Sequence, residues 1–495
     1  MRLIRRLGEW LDQRLQLGKP IHDALSHPVP RKSASWAYVF GSASLTLMIL
    51  QFVTGLCLAF VYVPSANEAW NSLQVLNHEQ SFGWFIRALH GWGSNFMIAL
   101  VLMHMIQVFL FGAFKFPREL TWIVGVFLLL MTLVMAFTGQ VLRFDQDAYW
   151  GLGIGASIMG RVPFIGSHLV HLMLGGPIIA SATLSRFFAI HVFLIPGALI
   201  AFVGVHLLMV LKLGINEWPM PGRVVKRETY LKEYHELTHK DGVPFFPDAF
   251  RKDLVFSGLI ILALVLCAAY FGPFGPKGQP DPTNVHAMPV PDFFFLWLFA
   301  ALALLPPQME TFLLLVGPPV VIGLLILLPL VSGTGEKSWR RRPVAMLALL
   351  LIVVALAALT QLGTYTPWSP DMDAWSSIPV PKKLLEGRTP LELQGAVLIQ
   401  AKQCRDCHSL GGGGGLRGPA LDDVAVRLTA DQLIRQILQG GGNMPAYGKN
   451  LSPAETTALV AFLKTLHPAG QRPATDAALL NTASTPHGGV DKTGH

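Results

Sequence analysis

Seven stretches of apolar residues, each long enough to cross a lipid bilayer, dominate this sequence of 495 residues. A membrane-spanning helix needs about 20 predominantly apolar residues, and within a bilayer only helices and closed barrels satisfy every backbone polar group. The composition agrees, because 52% of the residues are hydrophobic and only 14% are charged, which is too apolar for a soluble protein. We therefore predict an all-α fold, a polytopic transmembrane helix bundle of about seven spans. The spans, called segments A to G, lie near residues 36–62, 84–112, 121–142, 186–211, 253–272, 310–332 and 343–363. A further apolar stretch, 293–305, is too short to span and is expected to lie at the membrane surface or to re-enter it.

Lysine and arginine residues are concentrated in alternate loops. If the N-terminus is cytoplasmic, the B–C, D–E and F–G loops and the N-terminal arm carry most of them, whereas 64–83 has none and 273–291 has only Lys277. The loop cations include Lys115, Arg118, Arg223 and Lys337. This asymmetry follows the positive-inside rule, so the net charge of +8 indicates membrane topology and we expect no nucleic-acid partner. An odd number of spans then puts the C-terminus outside the cell (plasma) membrane.

Four histidines form two pairs inside apolar segments. His90 and His104 are fourteen residues apart in segment B, and His191 and His206 are fifteen apart in segment D. A helix turns about 100° and rises about 1.5 Å per residue, so each pair returns to roughly one face, about 21–22 Å apart. Both segments run inward, which pairs His90 with His191 at the outer level and His104 with His206 at the inner level. Four such imidazoles could hold two stacked haems; the alternative is hydrogen-bonded structural histidines.

Glycines in the neighbouring segments repeat the interval of fourteen. They are Gly41 and Gly55 in segment A, and Gly125 and Gly139 in segment C. Glycine gives a flat macrocycle room to approach a backbone, although single glycines also serve ordinary helix packing. Arg87 and Arg186 precede the outer histidines and are candidate partners of haem propionates, the alternative being side chains that reach up to the membrane surface.

Residues 404–408, CRDCH, form a CxxCH motif. In this motif the thiols of Cys404 and Cys407 attach a haem covalently and His408 binds its iron. A CxxC alone is also typical of a redox dithiol or half a zinc site, but there is no second close cysteine pair. Met444 is the candidate sixth ligand, with core packing as the alternative, and ligation by His and Met favours a high reduction potential. Haem c is attached outside the cytoplasm, in agreement with the predicted topology.

Segments A to D resemble cytochrome b of the quinol-oxidising cytochrome bc complexes. The matching motifs are RALHGW, KFPRELTW, TGQVLRFDQDAYWG and SRFFAIHVFLIP, and PVPDFFFLW and RRRPVA extend the resemblance over about residues 20–365. The interval between His191 and His206 resembles the chloroplast and Gram-positive branch. Segments E to G resemble that branch's separate three-helix subunit, here fused to the four-helix part. Val39 and Leu211 stand where the closest relatives have a cysteine and an arginine for an extra haem, so we expect no extra inner haem.

The resemblance and the CxxCH motif together predict six regions. They are a cytoplasmic amphipathic arm (1–35), a four-helix di-haem cytochrome b domain (36–252), a three-helix domain with the quinol-site loop (253–365), a linker (366–392), a small α-helical cytochrome c domain of class I (393–467) and a disordered tail (468–495).

The resemblance also implies a quinol-oxidation site at the outer face. The loop PVPDFFFLW is similar to the family's Pro-Glu-Trp-Tyr motif, whose carboxylate accepts a quinol proton, and Asp292 holds that position. Its alternative role is a helix N-cap. His286 in the same loop is a candidate for passing the proton outward. The candidate quinol contacts are all aromatic: Tyr149, Trp150, Phe293 and Phe294. Lys212 and Asn216 are placed near the inner quinone without an assigned role.

The implied function is the cytochrome b/c subunit of a quinol:cytochrome c oxidoreductase, with two non-covalent haem b groups and one covalent haem c. One quinol electron would go to a separate Rieske iron–sulfur protein, and the other would cross the membrane to a quinone, with proton translocation. Haem c would deliver electrons to a soluble or membrane-bound cytochrome c or a terminal oxidase, and the family implies a homodimer. Two alternatives stay open: a haem-bearing membrane anchor that relays electrons between a dehydrogenase and the quinone pool, and a non-enzymatic haem redox sensor.

Overall fold

The structure is a computed structural model, and it describes residues 2–16, 18–176, 179–281, 290–305, 307–365, 379–415, 418–440, 444, 446–448 and 450–475. His286, residues 366–378 of the linker and residues 476–495 of the C-terminal tail lie outside these residues. In chain order the helices are α1 Arg2–Leu15, α2 Gly18–Ser26, α3 Phe40–Ala59, α4 Ala69–His78, α5 Gly83–Leu110, α6 Glu119–Leu142, α7 Gln146–Gly160, α8 Gly166–Leu174, α9 Ser181–Leu213, α10 Tyr230–Asp241, α11 Phe250–Phe271, α12 Phe293–Leu304, α13 Pro307–Val331, α14 Pro343–Gly363, α15 Pro390–Ala401, α16 Val424–Arg427, α17 Ala430–Gln439 and α18 Pro453–Leu463.

The predicted fold class is confirmed. Within the described residues, seven helices are long and apolar enough to cross a membrane: α3, α5, α6, α9, α11 with the turn before it, α13 and α14. The short stretch after Asp292 forms α12, which has only 12 residues. Much of the surface of the spans is apolar and exposed, as expected of helices whose solvent is lipid.

In the part of the chain that the structure describes, three short antiparallel ladders join segments of the chain. They pair β1 Pro28–Pro30 with β3 Gly242–Pro244, β2 Val224–Val225 with β4 Gly335–Glu336, and β5 Ser409–Leu410 with β6 Gly413–Gly414. The first two ladders connect loops that are far apart in the sequence, so they tie together regions that the apolar pattern alone treats as separate.

The chain divides into two units by its contacts. The first consists of residues 1–145, 184–277 and 317–357, and the second of 146–183, 278–316 and 358–495. The first unit contains all four histidines of the apolar segments. In it α3, α5 and α11 pack around Ala43, Leu47, Leu100 and Leu264, each at most 4% exposed.

The second unit contains the C-terminal domain, whose first and last helices cross at Gly395. A Cβ at this position would lie 2.1 Å from the carbonyl oxygen of Ala458, so only glycine permits the approach. Capping boxes define the starts of α15, α17 and α18, in which a Thr or Ser side chain and a Glu or Gln three residues later bind each other's backbone amides. The helices enclose one core that includes Ile399, Leu410 and Phe462.

Candidate functional site

His90 on α5 and His191 on α9 face each other. Their ring centroids are 6.3 Å apart and their planes differ by 79°. Two metal–nitrogen bonds of about 2 Å each, with the half-width of each ring, span a similar distance. We call the pair His90 and His191 the His90 level. The geometry therefore fits one metal between the two imidazoles.

A threonine orients each ring at the His90 level. Thr54 Oγ1 lies 2.9 Å from His90 Nδ1, and Thr138 Oγ1 lies 2.9 Å from His191 Nδ1. Both hydroxyls donate their own hydrogen to backbone carbonyls one turn earlier, at 2.8 and 2.9 Å. Each hydroxyl oxygen must then accept from Nδ1–H, which leaves the lone pair of each imidazole on Nε2. This is the tautomer that a ligand through Nε2 requires.

His104 and His206 form a second level, the His104 level. The two side chains are close enough to interact electrostatically. The Nδ1 atom of each ring is buried. Gln107 offers a side-chain hydrogen bond to His104, and the backbone of Thr121 offers one to His206. The His104 level therefore repeats the arrangement of the His90 level, two buried imidazoles each held by a neighbouring polar group.

Each of the four predicted glycines lies against a different one of the four histidines. On α3, a Cβ at Gly41 would lie 3.2 Å from His104 Cε1, and one at Gly55 would lie 3.0 Å from His90 Cε1. On α6, a Cβ at Gly125 would lie 3.6 Å from His206 Cε1, and one at Gly139 would lie 2.8 Å from His191 Cε1. Helix α3 therefore supports the histidines of α5, and α6 supports those of α9. The structure adds an imidazole contact to the predicted role of these glycines in making room for a macrocycle.

A π turn at Ile190–Leu194 reconciles the unequal histidine intervals. The N–H of Ile195 donates to the carbonyl of Ile190, five residues back, and Pro196 next to it has no N–H to give to the residue four before it. A π turn holds about one residue more than an α turn. The fifteen residues from His191 to His206 thus turn through nearly the same angle as the fourteen from His90 to His104.

The two arginines near the His90 level differ in surroundings. Arg87 is buried, and its Nη1 donates to Asn77 Oδ1 at 3.0 Å and to the carbonyl of Gly275 at 2.6 Å, while Nη2 donates to the carbonyl of Phe274. Arg87 therefore anchors the segment after α11. The side chain of Arg186 is exposed. Binding of haem propionates by either residue stays a prediction.

Asp292 occupies the N-cap position of α12 without acting as a cap. Its backbone is extended (φ −61°, ψ 160°), but its side chain makes no capping hydrogen bond. The alternative role predicted for Asp292 is therefore not used in this structure. The side chain is half-buried.

The candidate aromatic contacts form two edge-to-face pairs in the second unit. The ring centroids of Tyr149 and Trp150 are 5.4 Å apart, and so are those of Phe293 and Phe294. Burial, with a further contribution from Asp281, raises the pKa of Tyr149, so this phenol is neutral and remains a hydrogen-bond donor. Phe293 and Phe294 follow Asp292 directly at the start of α12, whereas Tyr149 and Trp150 lie on α7.

In the C-terminal domain, His408 is held for binding through Nε2. Its Nδ1 donates to the carbonyl oxygen of Pro419 at 2.7 Å, and a Cβ at Gly418 would lie 2.5 Å from His408 Cε1. Burial lowers the pKa of His408, which favours the neutral form that binds metals. Burial also raises the pKa of the neighbouring Cys404 to about 12.

Met444 lies at the edge of the core of the same domain. It packs against that core partly buried, and its sulfur accepts a hydrogen bond from Gln436 Nε2 at 3.5 Å. Both features are compatible with the predicted ligand role and with core packing.

The structure also contains a buried charged cluster that the sequence does not predict. Arg118, Glu217, Tyr230 and Lys337 are each at most 6% exposed and are joined by hydrogen bonds. We call them the Lys337 cluster. Arg118 and Lys337 count as ordinary loop cations in the sequence, because nothing in their spacing shows that three distant loops bury them together.

Comparisons with known proteins show what the chain is similar to. A family model described as cytochrome b/b6/petB matches residues 25–214, and one described as cytochrome C oxidase, cbb3-type, subunit III matches residues 391–463. Cytochrome b6 of Heliobacterium mobile is 41% identical over 209 residues, which are 42% of this chain and 98% of that protein. Cytochrome b6 of Synechococcus elongatus is 37% identical over 213 residues, 43% of this chain and 99% of that protein. A solved structure of a hyperthermophilic respiratory Complex III matches with a TM-score of 0.62 and 28% identity, covering 72% of this chain and 91% of that chain.

Proposed function

Because this chain belongs to the cytochrome b/b6 family and carries a C-terminal cytochrome c domain, we propose that it is the cytochrome b/c subunit of a quinol:cytochrome c oxidoreductase. Family and spans make it a membrane-embedded electron-transfer protein of a bc-type complex. The observation that carries the proposal is the pairing of four glycines with four histidines at two levels.

The predicted ligands at the two levels and in the C-terminal domain would hold three haems. His90 with His191, and His104 with His206, would each ligate one non-covalent haem b, while Cys404, Cys407, His408 and Met444 would attach and ligate haem c. When bound, the haems supply one-electron carriers at both levels and, through His and Met ligation, a high-potential carrier in the C-terminal domain. The chain's own contribution is to fix the imidazole tautomers with Thr54, Thr138 and the carbonyl of Pro419.

Quinol would be oxidised next to α12 in two one-electron steps. The Asp292 carboxylate accepts a proton from a quinol hydroxyl, and the aromatic side chains 149–150 and 293–294 wall the ring and exclude water. One electron passes to a Rieske iron–sulfur protein and then to the cytochrome c domain. The other crosses from the His90 level to the His104 level. Two such turnovers would supply the two electrons, and two protons taken up from the cytoplasm would complete the reduction of one quinone to quinol there. Haem c would pass its electron to a soluble or membrane-bound cytochrome c or to a terminal oxidase.

The proposed orientation places the His104 level near the cytoplasm and the His90 level near the outside of the plasma membrane. The distribution of lysine and arginine between the loops supports it. Protons are then released outside and taken up inside, and the C-terminal domain lies outside, where haem c is attached. We further propose a homodimer, following the family.

Purification with bound partners, haem counting and a quinol:cytochrome c assay test the proposal together. We expect two non-covalent protohaems and one covalent haem per chain, a co-purifying Rieske protein and quinol:cytochrome c activity. A preparation without non-covalent protohaem would overturn the proposal. Protohaem without quinol:cytochrome c activity would instead favour the membrane anchor, and haem without any quinone chemistry would favour the redox sensor.

A further inference from the structure

The Lys337 cluster is a continuous hydrogen-bonded network in the first unit. Lys337 Nζ lies 3.0 Å from Glu217 Oε2 and 3.1 Å from the Tyr230 hydroxyl. That hydroxyl donates to Glu217 Oε2 at 2.6 Å and accepts from Arg118 Nη1 at 2.8 Å. The ammonium of Lys337 also donates to Asn216 Oδ1. Lys337 is only 1% exposed, so its proton affinity depends on these neighbours and not on water.

The charges within the network cancel when Lys337 is neutral and leave one net positive charge when it is protonated. The cluster itself holds one carboxylate, Glu217, against the guanidinium of Arg118 and the amine of Lys337. Arg223 adds a further cation, 3.3 Å from Glu217 Oε1, but it is itself shared with Glu233. The titratable and charged groups that face Lys337 from the packed elements are Glu217 and Arg223 from the segment after α9, Tyr230 from α10 and Arg118 from the turn before α6.

Glu217 connects the network with solvent. An open cavity of about 460 Å³ is lined by Glu217, Arg223 and Glu233, among other residues of the first unit. The side chain of Glu217 is 4% exposed, with Oε1 towards Arg223 and Oε2 towards Lys337. The cavity therefore gives water-borne protons a way to the edge of the cluster.

The cluster is attached to the ends of both helices that carry the His104 level. Arg118 donates to the carbonyls of Leu213 and Gly214, at 3.0 and 3.2 Å, and Asn216 donates to the carbonyl of Phe111 at 3.5 Å. Leu213 and Phe111 each come seven residues after a histidine, His206 and His104. At about 1.5 Å per residue the cluster lies roughly 10 Å from that level along the helix axes. Within protein, charges at this distance are screened much less than in water.

We propose that Lys337 is a proton-loading site: its amine takes one proton from the cavity side when an electron reaches the His104 level, and the resulting ammonium offsets the added negative charge. The step is balanced, since one R–NH₂ and one H⁺ give R–NH₃⁺ for one electron gained, and no other bond forms or breaks. The inference rests on the proposed function, because quinol oxidation supplies the electron.

The acid–base properties of the cluster agree with this role. Burial lowers the pKa of Lys337 to about 7, although Glu217 opposes the shift, so near neutral pH the amine can both hold and lack a proton. Burial alone would raise the pKa of Glu217, but Lys337, the Tyr230 hydrogen bond and Arg118 outweigh it and lower the pKa to about 2. Glu217 therefore remains a fixed anion beside the titrating amine.

Redox titration of the purified holoprotein between pH 6 and 9 tests the proposal. In the wild type we expect the midpoint of the haem at the His104 level to fall with rising pH across the neutral range, and His90→Leu identifies which midpoint belongs to which level. In Lys337→Met this slope should be lost, whereas the midpoint at the His90 level should keep its own pH dependence. Lys337→Arg keeps a fixed positive charge, so the midpoint of the haem at the His104 level should be high and independent of pH.

Control variants separate this role from a purely structural one. Lys252→Met removes a cation that binds the carbonyl of Ala34 outside the cluster and should leave the slope intact. If Lys337→Met does not fold, Lys337→Arg carries the test alone, because it removes the titration without removing the charge. A wild-type slope in either Lys337 variant overturns the inference. A wild type without two protohaems would instead overturn the proposed function.

Discussion

At the scale of single residues, the four glycines differ in how closely they approach the histidine rings. A Cβ at Gly139 would lie 2.8 Å from His191 Cε1, closer than real side chains approach, whereas one at Gly125 would lie 3.6 Å from His206 Cε1, an ordinary van der Waals distance. The same substitution should therefore have different consequences at the two levels.

We expect Gly139→Ala to displace His191 and to reduce haem at the His90 level, with a packing cost of about 1–3 kcal/mol. Gly125→Ala is the matched control and should retain both haems. Haem counting and the resolved b-type spectra of the two purified variants check this prediction. Equal haem loss in both variants would contradict it.

Asp292→Asn should slow quinol oxidation roughly 100-fold, because the amide cannot accept a proton. Asparagine has the size and shape of aspartate, so we expect the variant to keep the thermal stability and haem spectra of the wild type. Asp292→Glu restores the carboxylate and should keep most of the activity. Stopped-flow quinol oxidation measures both variants, and unchanged turnover in Asp292→Asn would remove the proton role.

Met444→Ala should lower the reduction potential of haem c, because thioether ligation favours the reduced iron. Gln436→Ala, which removes the amide that donates to the Met444 sulfur, should have a much smaller effect. Redox titration of the c-type absorbance distinguishes the two. A potential unchanged in Met444→Ala would place the sixth ligand elsewhere and leave Met444 as a core residue.

At the scale of helices and loops, the sequence predicts what depends on local composition. It locates all seven spans within a few residues, because a membrane-spanning helix can be recognised from its own apolar composition. It does not show the π turn at Ile190–Leu194, which depends on how one proline is accommodated. Nor does it show the Lys337 cluster, whose members come from three loops joined by long-range contacts. The charge pattern correctly marks Arg118 and Lys337 as flanking the spans, but it does not show that both side chains are buried.

The π turn leads to a prediction about chain length. Deleting Leu194 together with Pro196→Ala should convert the turn to an α turn, shorten the His191–His206 interval to fourteen and retain both b haems. Deleting Ile200, in the regular part of α9, should rotate His191 by about 100° relative to His206 and lose haem at the His90 level. The b-haem content of both deletion variants checks the prediction, and haem loss in the Leu194 variant alone would contradict it.

At the scale of the whole molecule, Glu217 and Lys337 join two parts of the chain. Glu217 follows the four-helix part that matches the cytochrome b6 relatives, and Lys337 follows α13 of the three-helix part. The ladder between Val224–Val225 and Gly335–Glu336 connects the same two loops. Breaking a buried ion pair by removing one partner leaves an uncompensated charge, so this pair contributes to how the parts stay together.

Glu217→Gln should lower the stability of the holoprotein by about 3–5 kcal/mol, most strongly below about pH 7, where Lys337 carries its proton. In the wild type the folded pKa of Glu217 is below its usual value, so its contribution is complete above about pH 4.5 and is lost as the pH falls towards 2. Thermal loss of the b-haem absorbance measures stability. Glu233→Gln, which removes a surface partner of Arg223, is the control and should change it little.

The crossing of α15 and α18 at Gly395 has a consequence for how independently the C-terminal domain folds. Chain entry and exit pass through two helices that touch, and every residue of the domain's buried core lies between Val380 and Leu466. We therefore expect the domain to fold as a separate unit when it is expressed alone or fused to a different membrane anchor.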